Sequence, residues 1–329
     1  MRGINAKGLK RMKSKLYPAV LRVLEQVNRV ILGKDEKIRE IMTAFLANGH
    51  VLLEDIPGVG KTTLAVAFSR AMQLDYRRVQ FTPDVLPSDL TGFSVYRREE
   101  EKFVYQPGSV FCNLLLADEI NRTSPKTQSA LLEVMEERKV TVDGVTREVE
   151  PPFLVIATQN PAGSAGTQHL PEAQMDRFMI SMSLGYPDYE SELSMAKGIG
   201  PDERYSSVQP VLTGDMLVEA QREIYQVYMK DVIYDYALKL VRATRDHAVL
   251  ERGASPRATI ALGQMAKATA WMSGRDYVTP ADVSGQFSYV AAHRVSLSGA
   301  AKIEGRTKEE VLREVAETVE IPPMGEERR

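Results

Sequence analysis

The sequence predicts an α/β domain with a parallel sheet flanked by helices, followed by an all-helical domain. Three observations carry that reading. The apolar run Val51-Leu52-Leu53 passes through a glycine-bearing loop, Asp55-Ile56-Pro57-Gly58-Val59-Gly60, into Lys61-Thr62 and a helix-compatible run over 63–68. Two further apolar runs, 114–117 and 153–157, have the look of strands buried on both faces, and each ends in polar residues. At Tyr186-Pro187 the texture changes, and the later segments carry a helical period. The expected division is therefore an α/β core over 1–186 and a helical domain over 187–329.

The totals agree with this plan. A chain of 329 residues can form two domains and a sizeable core. With 43% apolar and 26% charged residues, it has an ordinary globular composition. A net charge of −2 supplies no global field for nucleic acid or an anionic membrane. The single cysteine, Cys112, excludes an internal disulfide and suits a reducing compartment. Its place beside an apolar strand predicts a buried thiol. His50, His169, His247 and His293 show no metal-ligand spacing. No run approaches the ~20 apolar residues of a membrane span. Six Lys or Arg fall by position 15 with no apolar segment after them, so residues 1–16 are expected to be a basic tail rather than a secretory signal. A cytoplasmic protein without membrane insertion is expected.

Strand, glycine loop, Lys-Thr and helix, in that order, form the P-loop pattern of a nucleotide-binding site. Glycines let backbone N–H groups turn inward around a phosphate, and the following helix directs its positive end at the same anion. Lys61 adds a cation for the outer phosphates, and the Thr62 hydroxyl is placed to ligate Mg²⁺. Pro57, Gly58, Val59, Gly60, Lys61, Thr62 and Thr63 are the expected cradle. The full motif begins with a glycine, and here that position holds Asp55.

The remaining elements follow in order. Apolar spacing predicts a helix over 19–31 and a second one with Ile38, Ile41, Met42, Phe45 and Leu46 on one face. Between them, Ile31-Leu32-Gly33 could wall an adenine pocket or simply join two helices. A short strand at 78–81 precedes a hairpin, 93–96 with 102–106, around a polar turn. The strand 114–117 ends in Asp118-Glu119, at the edge where α/β sheets hold ligands. Asp118 is placed to hold Mg²⁺ through its water shell, and Glu119 could polarise an attacking water. A helix over 126–137 leads to a second hairpin, 139–149, whose Asp143-Gly144 predicts a type I′ turn. The strand 153–157 ends in Thr158-Gln159-Asn160, where Asn160 could orient a lytic water, touch the γ-phosphate, or merely turn the chain. Arg177 precedes a last strand, 178–182, and alone reads as a solvated charge. Helical segments follow near 188–197, 213–228, 231–246, 255–273, 279–292 and 307–318. Ser255-Pro256 and Thr279-Pro280 with Asp282 are capped starts. Arg257 lies in a first turn, where a cation opposes the helix dipole, and a bound phosphate would explain it. Trp271 belongs to a core.

These pieces resemble the AAA+ ATPases, and the match to the MoxR branch is close. It is carried by PGVGKT (57–62), VQFTPDVLPSDLTG (79–92), LLLADEINR (114–122), ATQNP (157–161), LPEAQMDRF (170–178) and SPRA (255–258), spread over about residues 20–300. Two positions depart from the pattern: Asp55, and Gln168-His169 where an aromatic and a proline are more usual. The resemblance implies a sheet of order 5-1-4-3-2 and a helical lid. It makes Asp118 and Glu119 the Walker B pair, Asn160 sensor 1, Arg177 the arginine finger and Arg257 sensor 2. The hairpins become a helix-2 insert (about 86–109) and a pre-sensor-1 insert (139–149). It further implies ATP and Mg²⁺ as cofactors and a homo-oligomeric ring, usually a hexamer. The activity implied is chaperone-like remodelling of protein partners, often ones with a von Willebrand factor A domain. A magnesium-chelatase-like ATPase subunit and a non-hydrolysing nucleotide-gated scaffold are the alternatives. The mixed charges at 97–102 speak against a nucleic-acid motor, so no nucleic-acid partner is expected.

Overall fold

The computed structural model describes residues 14–56, 58–160, 170–197 and 206–323. Pro57, Gln168-His169 and most of the basic tail lie outside these residues. Helices α1 (Tyr17–Asn28) and α2 (Asp35–Leu46) lead to strand β1 (Val51–Glu54) and, past the glycine loop, to α3 (Lys61–Ala71). Strand β2 (Tyr76–Gln80), a short helix α4 (Pro87–Thr91) and the hairpin β3 (Gly92–Arg97)–β4 (Lys102–Pro107) come next. Then follow β5 (Leu114–Asp118), α5 (Pro125–Glu137) and the hairpin β6 (Lys139–Val142)–β7 (Val145–Glu148). Strand β8 (Leu154–Gln159), α6 (Glu172–Met175), β9 (Ile180–Met182) and α7 (Tyr189–Ala196) complete this part.

Five strands form one parallel sheet in the order β2-β5-β8-β1-β9. Counting sheet strands alone, this is the expected 5-1-4-3-2 read from the other edge. Alternation explains how it is buried. Leu52, Leu115, Ala117, Val155 and Ala157 join one apolar cluster with Leu131, Leu132 and Met135 of α5. Their neighbours Val51, Leu53, Leu114, Leu116, Leu154 and Ile156 point to the opposite face and are equally buried. On the helical side Phe45 and Phe68 meet edge-on at 5.3 Å. Register brings Glu54 opposite Gln159, and Gln80 opposite Asp118, so the polar strand ends share one edge. The turn of the second hairpin has positive φ at Asp143 (53°) and Gly144 (72°), as a type I′ turn requires.

The chain divides into two compact units, Ala19–Glu219 and a second comprising residues up to Pro18 and from Ala220 onward. The sheet-bearing unit thus continues past Tyr186-Pro187, the expected boundary. Backbone contacts hold the continuation: Val211 and Leu212 N–H donate to the Ala71 carbonyl, and Gln209 N–H to Gln26 Oε1. The second unit packs helices Asp231–Ala243, Pro256–Met272, Pro280–Ala291 and Lys308–Glu317, with Trp271, Leu262, Val283 and Phe287 buried. It is not wholly helical, because Leu250–Arg252 and Ser296–Leu297 pair antiparallel through buried Leu250 and Leu297. Strands of three and two residues are too short for a period to reveal. Both capped starts are present: Ser255 Oγ accepts from Arg257 N–H, and Asp282 Oδ2 from Thr279 N–H at 2.7 Å.

His50 locks the start of β1. Its Nδ1 accepts from Val155 N–H (3.1 Å), so Nε2 carries the proton and donates to the Met135 carbonyl (3.1 Å). Burial, then the nearby Arg138 charge, hold its pKa well below the ordinary value. The unfolded chain therefore binds a proton near pH 6.5 that the folded chain refuses, and stability falls as pH drops below that value. We expect urea stability of the sheet-bearing unit to fall by up to about 1.4 kcal/mol per pH unit from this group below about pH 6.5. Comparing His50→Gln with wild type at pH 7.5 and 5.5 checks this: the variant loses stability at pH 7.5 but shows the shallower pH dependence.

Candidate active site

β1 ends at the point where the strand order reverses, and the P-loop springs from it. Gly58 and Gly60 take φ of 89° and 92°, values glycine tolerates at no steric cost. Among the described residues, no atom lies within 4 Å of where a Gly58 Cβ would be. Gly60 caps α3, whose first residues are Lys61, Thr62 and Thr63. Lys61 is buried and donates to the Asp55 carbonyl (3.0 Å). Burial lowers its pKa, opposed by the carboxylates of Asp118, Asp55 and Glu119. Ile31 approaches the loop, its Cδ1 lying 3.9 Å from where a Gly60 Cβ would be. Gly33, at φ 68°, packs where a Cβ would crowd Asp188 and Ser191. The turn at 31–33 therefore borders the P-loop on one side and the start of α7 on the other.

Asp118 and Glu119 stand at the end of β5. Asp118 Oδ1 accepts from Thr158 Oγ1 and Oδ2 from Arg78, both at 2.7 Å. Glu119 adopts φ 57°, ψ 48°, a left-handed conformation sparse outside glycine. Its N–H donates to Thr158 Oγ1 (2.8 Å), which fixes that backbone. Its carboxylate accepts from Asn160 Nδ2 (3.0 Å), Gln80 Nε2 (2.8 Å) and Arg122 (2.7 Å). Partial burial pushes its pKa up, but hydrogen bonds from Arg122 and Asn160 outweigh that and hold it below the usual range. The residue is an ionised base at neutral pH.

Asn160 is buried with its Oδ1 unpartnered, and so is Asn121 Oδ1 beside it. Two orphaned acceptors next to a carboxylate suit a bound water, since a buried acceptor left unpaired is costly. Hard oxygen donors, Thr62 and Asp118, suit Mg²⁺, and the open glycine loop suits phosphate. The residues present therefore fit a magnesium nucleotide.

Arg177 is ion-paired through Nε to Glu136 (2.9 Å) and lines an open groove of about 570 Å³ with Ser129, Glu133, Lys139 and Thr146. Arg257 belongs to the second unit, exposed in the first turn of its helix. Cys112 is buried, and its thiol is pushed up to about 12 by burial.

Sequence reasoning missed Arg78, Gln80, Arg122, Asn121 and Thr158. Only the i, i+2 spacing of Arg78 and Gln80 on one strand face hinted at a shared task. It also left Asp55 without a role. The Asp55 carboxylate accepts from Ser183 Oγ (2.6 Å), Leu184 N–H (2.7 Å) and Gly185 N–H (3.0 Å). A glycine there could not hold the exit of β9. Asp55→Gly, which restores the usual motif, should cost about 1–3 kcal/mol of stability and speed amide exchange at Leu184 and Gly185. Urea titration and hydrogen exchange by NMR check both expectations.

The chain matches the model of the ATPase family associated with various cellular activities (AAA) over residues 50–180, and that of the AAA lid domain over 242–315. It is 44% identical to an uncharacterised Bacillus subtilis protein, YeaC, over 93% of this chain and 96% of that one. It is 39% identical to the chaperone MoxR1 of Mycobacterium tuberculosis, over 92% of this chain and 82% of that one. A crystal structure of a candidate ATPase from Cytophaga hutchinsonii superposes with a TM-score of 0.85 at 36% identity, covering 93% and 96% of the two chains.

Proposed function

Because the chain belongs to the MoxR family of AAA+ ATPases, we propose that it hydrolyses ATP with Mg²⁺ in a ring of identical subunits and remodels protein partners. The observation that carries the reading is the Glu119 carboxylate, ionised and held by Asn160 beside orphaned amide oxygens. Phosphoryl transfer asks for positioning and charge neutralisation more than covalent chemistry.

The P-loop amides at 58–60 and Lys61 bind the phosphates, and the Ile31–Gly33 turn walls the base. Thr62 and Asp118 would hold Mg²⁺, which supplies charge neutralisation when bound. Glu119 takes the proton of the attacking water, and Asn160 Oδ1 and Nδ2 orient water and base. Arg257 is the residue that the family reading assigns to sensing the γ-phosphate. Arg177 serves a neighbouring subunit's nucleotide, so hydrolysis depends on assembly and head-to-tail contacts close into a ring. Support for that role is its groove and its terminal amino groups, which lie beyond the Nε bond to Glu136.

The β3–β4 hairpin suits partner engagement. Tyr96 and Phe103 stack edge-on at 5.3 Å at 50% and 72% exposure, an apolar surface open to a partner. Partners with a von Willebrand factor A domain are the class this family reading favours. Among the described residues no helix is long and apolar enough to cross a membrane.

Glu119→Gln should bind ATP as wild type does and turn over about 10²–10⁴-fold more slowly. Arg177→Ala should likewise bind ATP and hydrolyse poorly. Mixing the two variants decides between cis and trans action, because each supplies what the other lacks. Steady-state hydrolysis reappears in mixed rings if Arg177 acts across the interface. Verified subunit exchange without activity at any ratio would overturn the assignment.

A further inference from the structure

Both oxygens of the Asp118 carboxylate are engaged, one by Thr158 and the other by Arg78. The ion pair is unequal in burial. The Asp118 side chain is 11% exposed, whereas that of Arg78 is 45% exposed on the edge strand β2. A buried carboxylate needs a counter-charge, because an unpaired one loses its hydration without return. A half-exposed guanidinium has no such need and can swing back to water at little cost. Arg78 also shares its NH2 with Gln80 Oε1 (2.9 Å), which gives the cation a fixed seat in line with β2.

We propose that Arg78 is the resident counter-ion of Asp118, and that a divalent cation arriving with nucleotide phosphates replaces it. The inference rests on the reading of Asp118 as a metal-holding residue. Two cations a few ångströms apart repel strongly wherever water is scarce, so a guanidinium and a dication do not share one carboxylate without cost. Arg78 therefore does two things. It holds the Asp118 carboxylate in place when no metal is present, so the site is preformed. It also sets a threshold, because the metal gains Asp118 only by displacing an existing partner.

The exchange predicts opposite effects of one substitution in two states. In Arg78→Gln, the metal-free and nucleotide-free protein loses the counter-ion and melts at lower temperature than wild type. With saturating Mg²⁺ and ADP, its melting temperature rejoins that of wild type. Mg²⁺ titrations of fluorescent ADP-analogue binding should reach half-effect at roughly 3–10-fold lower Mg²⁺, the worth of a half-exposed charged pair. Arg78→Lys keeps the charge without the planar fork, gives a smaller shift in the same direction, and serves if Arg78→Gln does not fold. Asp118→Asn is the companion variant and should lose the Mg²⁺ dependence. An unchanged or raised Mg²⁺ requirement in the Arg78 variants, with the Mg²⁺ dependence lost in Asp118→Asn, overturns the exchange alone. Undiminished Mg²⁺ dependence in Asp118→Asn overturns the metal reading and the exchange together.

Discussion

Four carboxylates crowd the C-terminal edge of a sheet buried on both faces, and supplying each with hydrogen-bond donors there is the constraint the site answers. Glu54 is held by Ser181 Oγ (2.5 Å) and Gln159 Nε2 (2.8 Å). Asp55 is held by the chain at 183–185, Asp118 by Thr158 and Arg78, and Glu119 by Asn160, Gln80 and Arg122. All of these contacts except Glu119–Arg122, which is three residues apart in one turn, join different strands or loops. The strand order therefore does more than bury apolar surface: it sets β1 between β8 and β9, and β5 between β2 and β8, so each acid meets donors from its neighbours. Desolvation makes each such bond matter more than the same bond in water.

The fold was readable because it rests on local signals. Runs such as 114–117 are apolar because both faces are covered, and Asp143-Gly144 turns because its two residues accept positive φ. P-loop, Asp118-Glu119 and Asn160 sit at strand ends that the same runs disclose. What escaped the sequence is non-local. Nothing near Asp55 says that it binds residues at 183–185, and nothing near Arg78 says that its carboxylate lies forty positions on. The continuation of the first unit to Glu219 depends on contacts with Ala71 and Gln26, which no boundary in composition marks. Arg177 was singled out only through resemblance, since a lone arginine carries no signal of its own, whereas Arg257 also stood out as a cation in the first turn of a helix.

The two hairpins are tied together although they are distant in sequence. The Arg147 guanidinium lies 3.7 Å from the Tyr105 ring centre, a cation–π contact that links β7 to β4. Tyr105 also donates through its hydroxyl to the Thr91 carbonyl, at the base of the first hairpin. Burial raises the Tyr105 pKa, with Arg147 opposing, so the phenol stays a neutral donor. A displacement of either hairpin is thus felt by the other. Arg138, at the end of α5, binds the Phe153 and Asn48 carbonyls and anchors the second hairpin to β8 and the start of β1. The exposed aromatic surface is in this way mounted on the strands that carry the acids.

In the proposed ring, hydrolysis occurs at a site completed by a neighbouring subunit. Steady-state ATP hydrolysis per subunit, measured across protein concentrations that span assembly, with mass photometry on the same samples, tests it most directly. The account predicts that specific activity rises in step with the assembled fraction and is negligible where single chains predominate. Constant specific activity across the range, with single chains fully active, would contradict it.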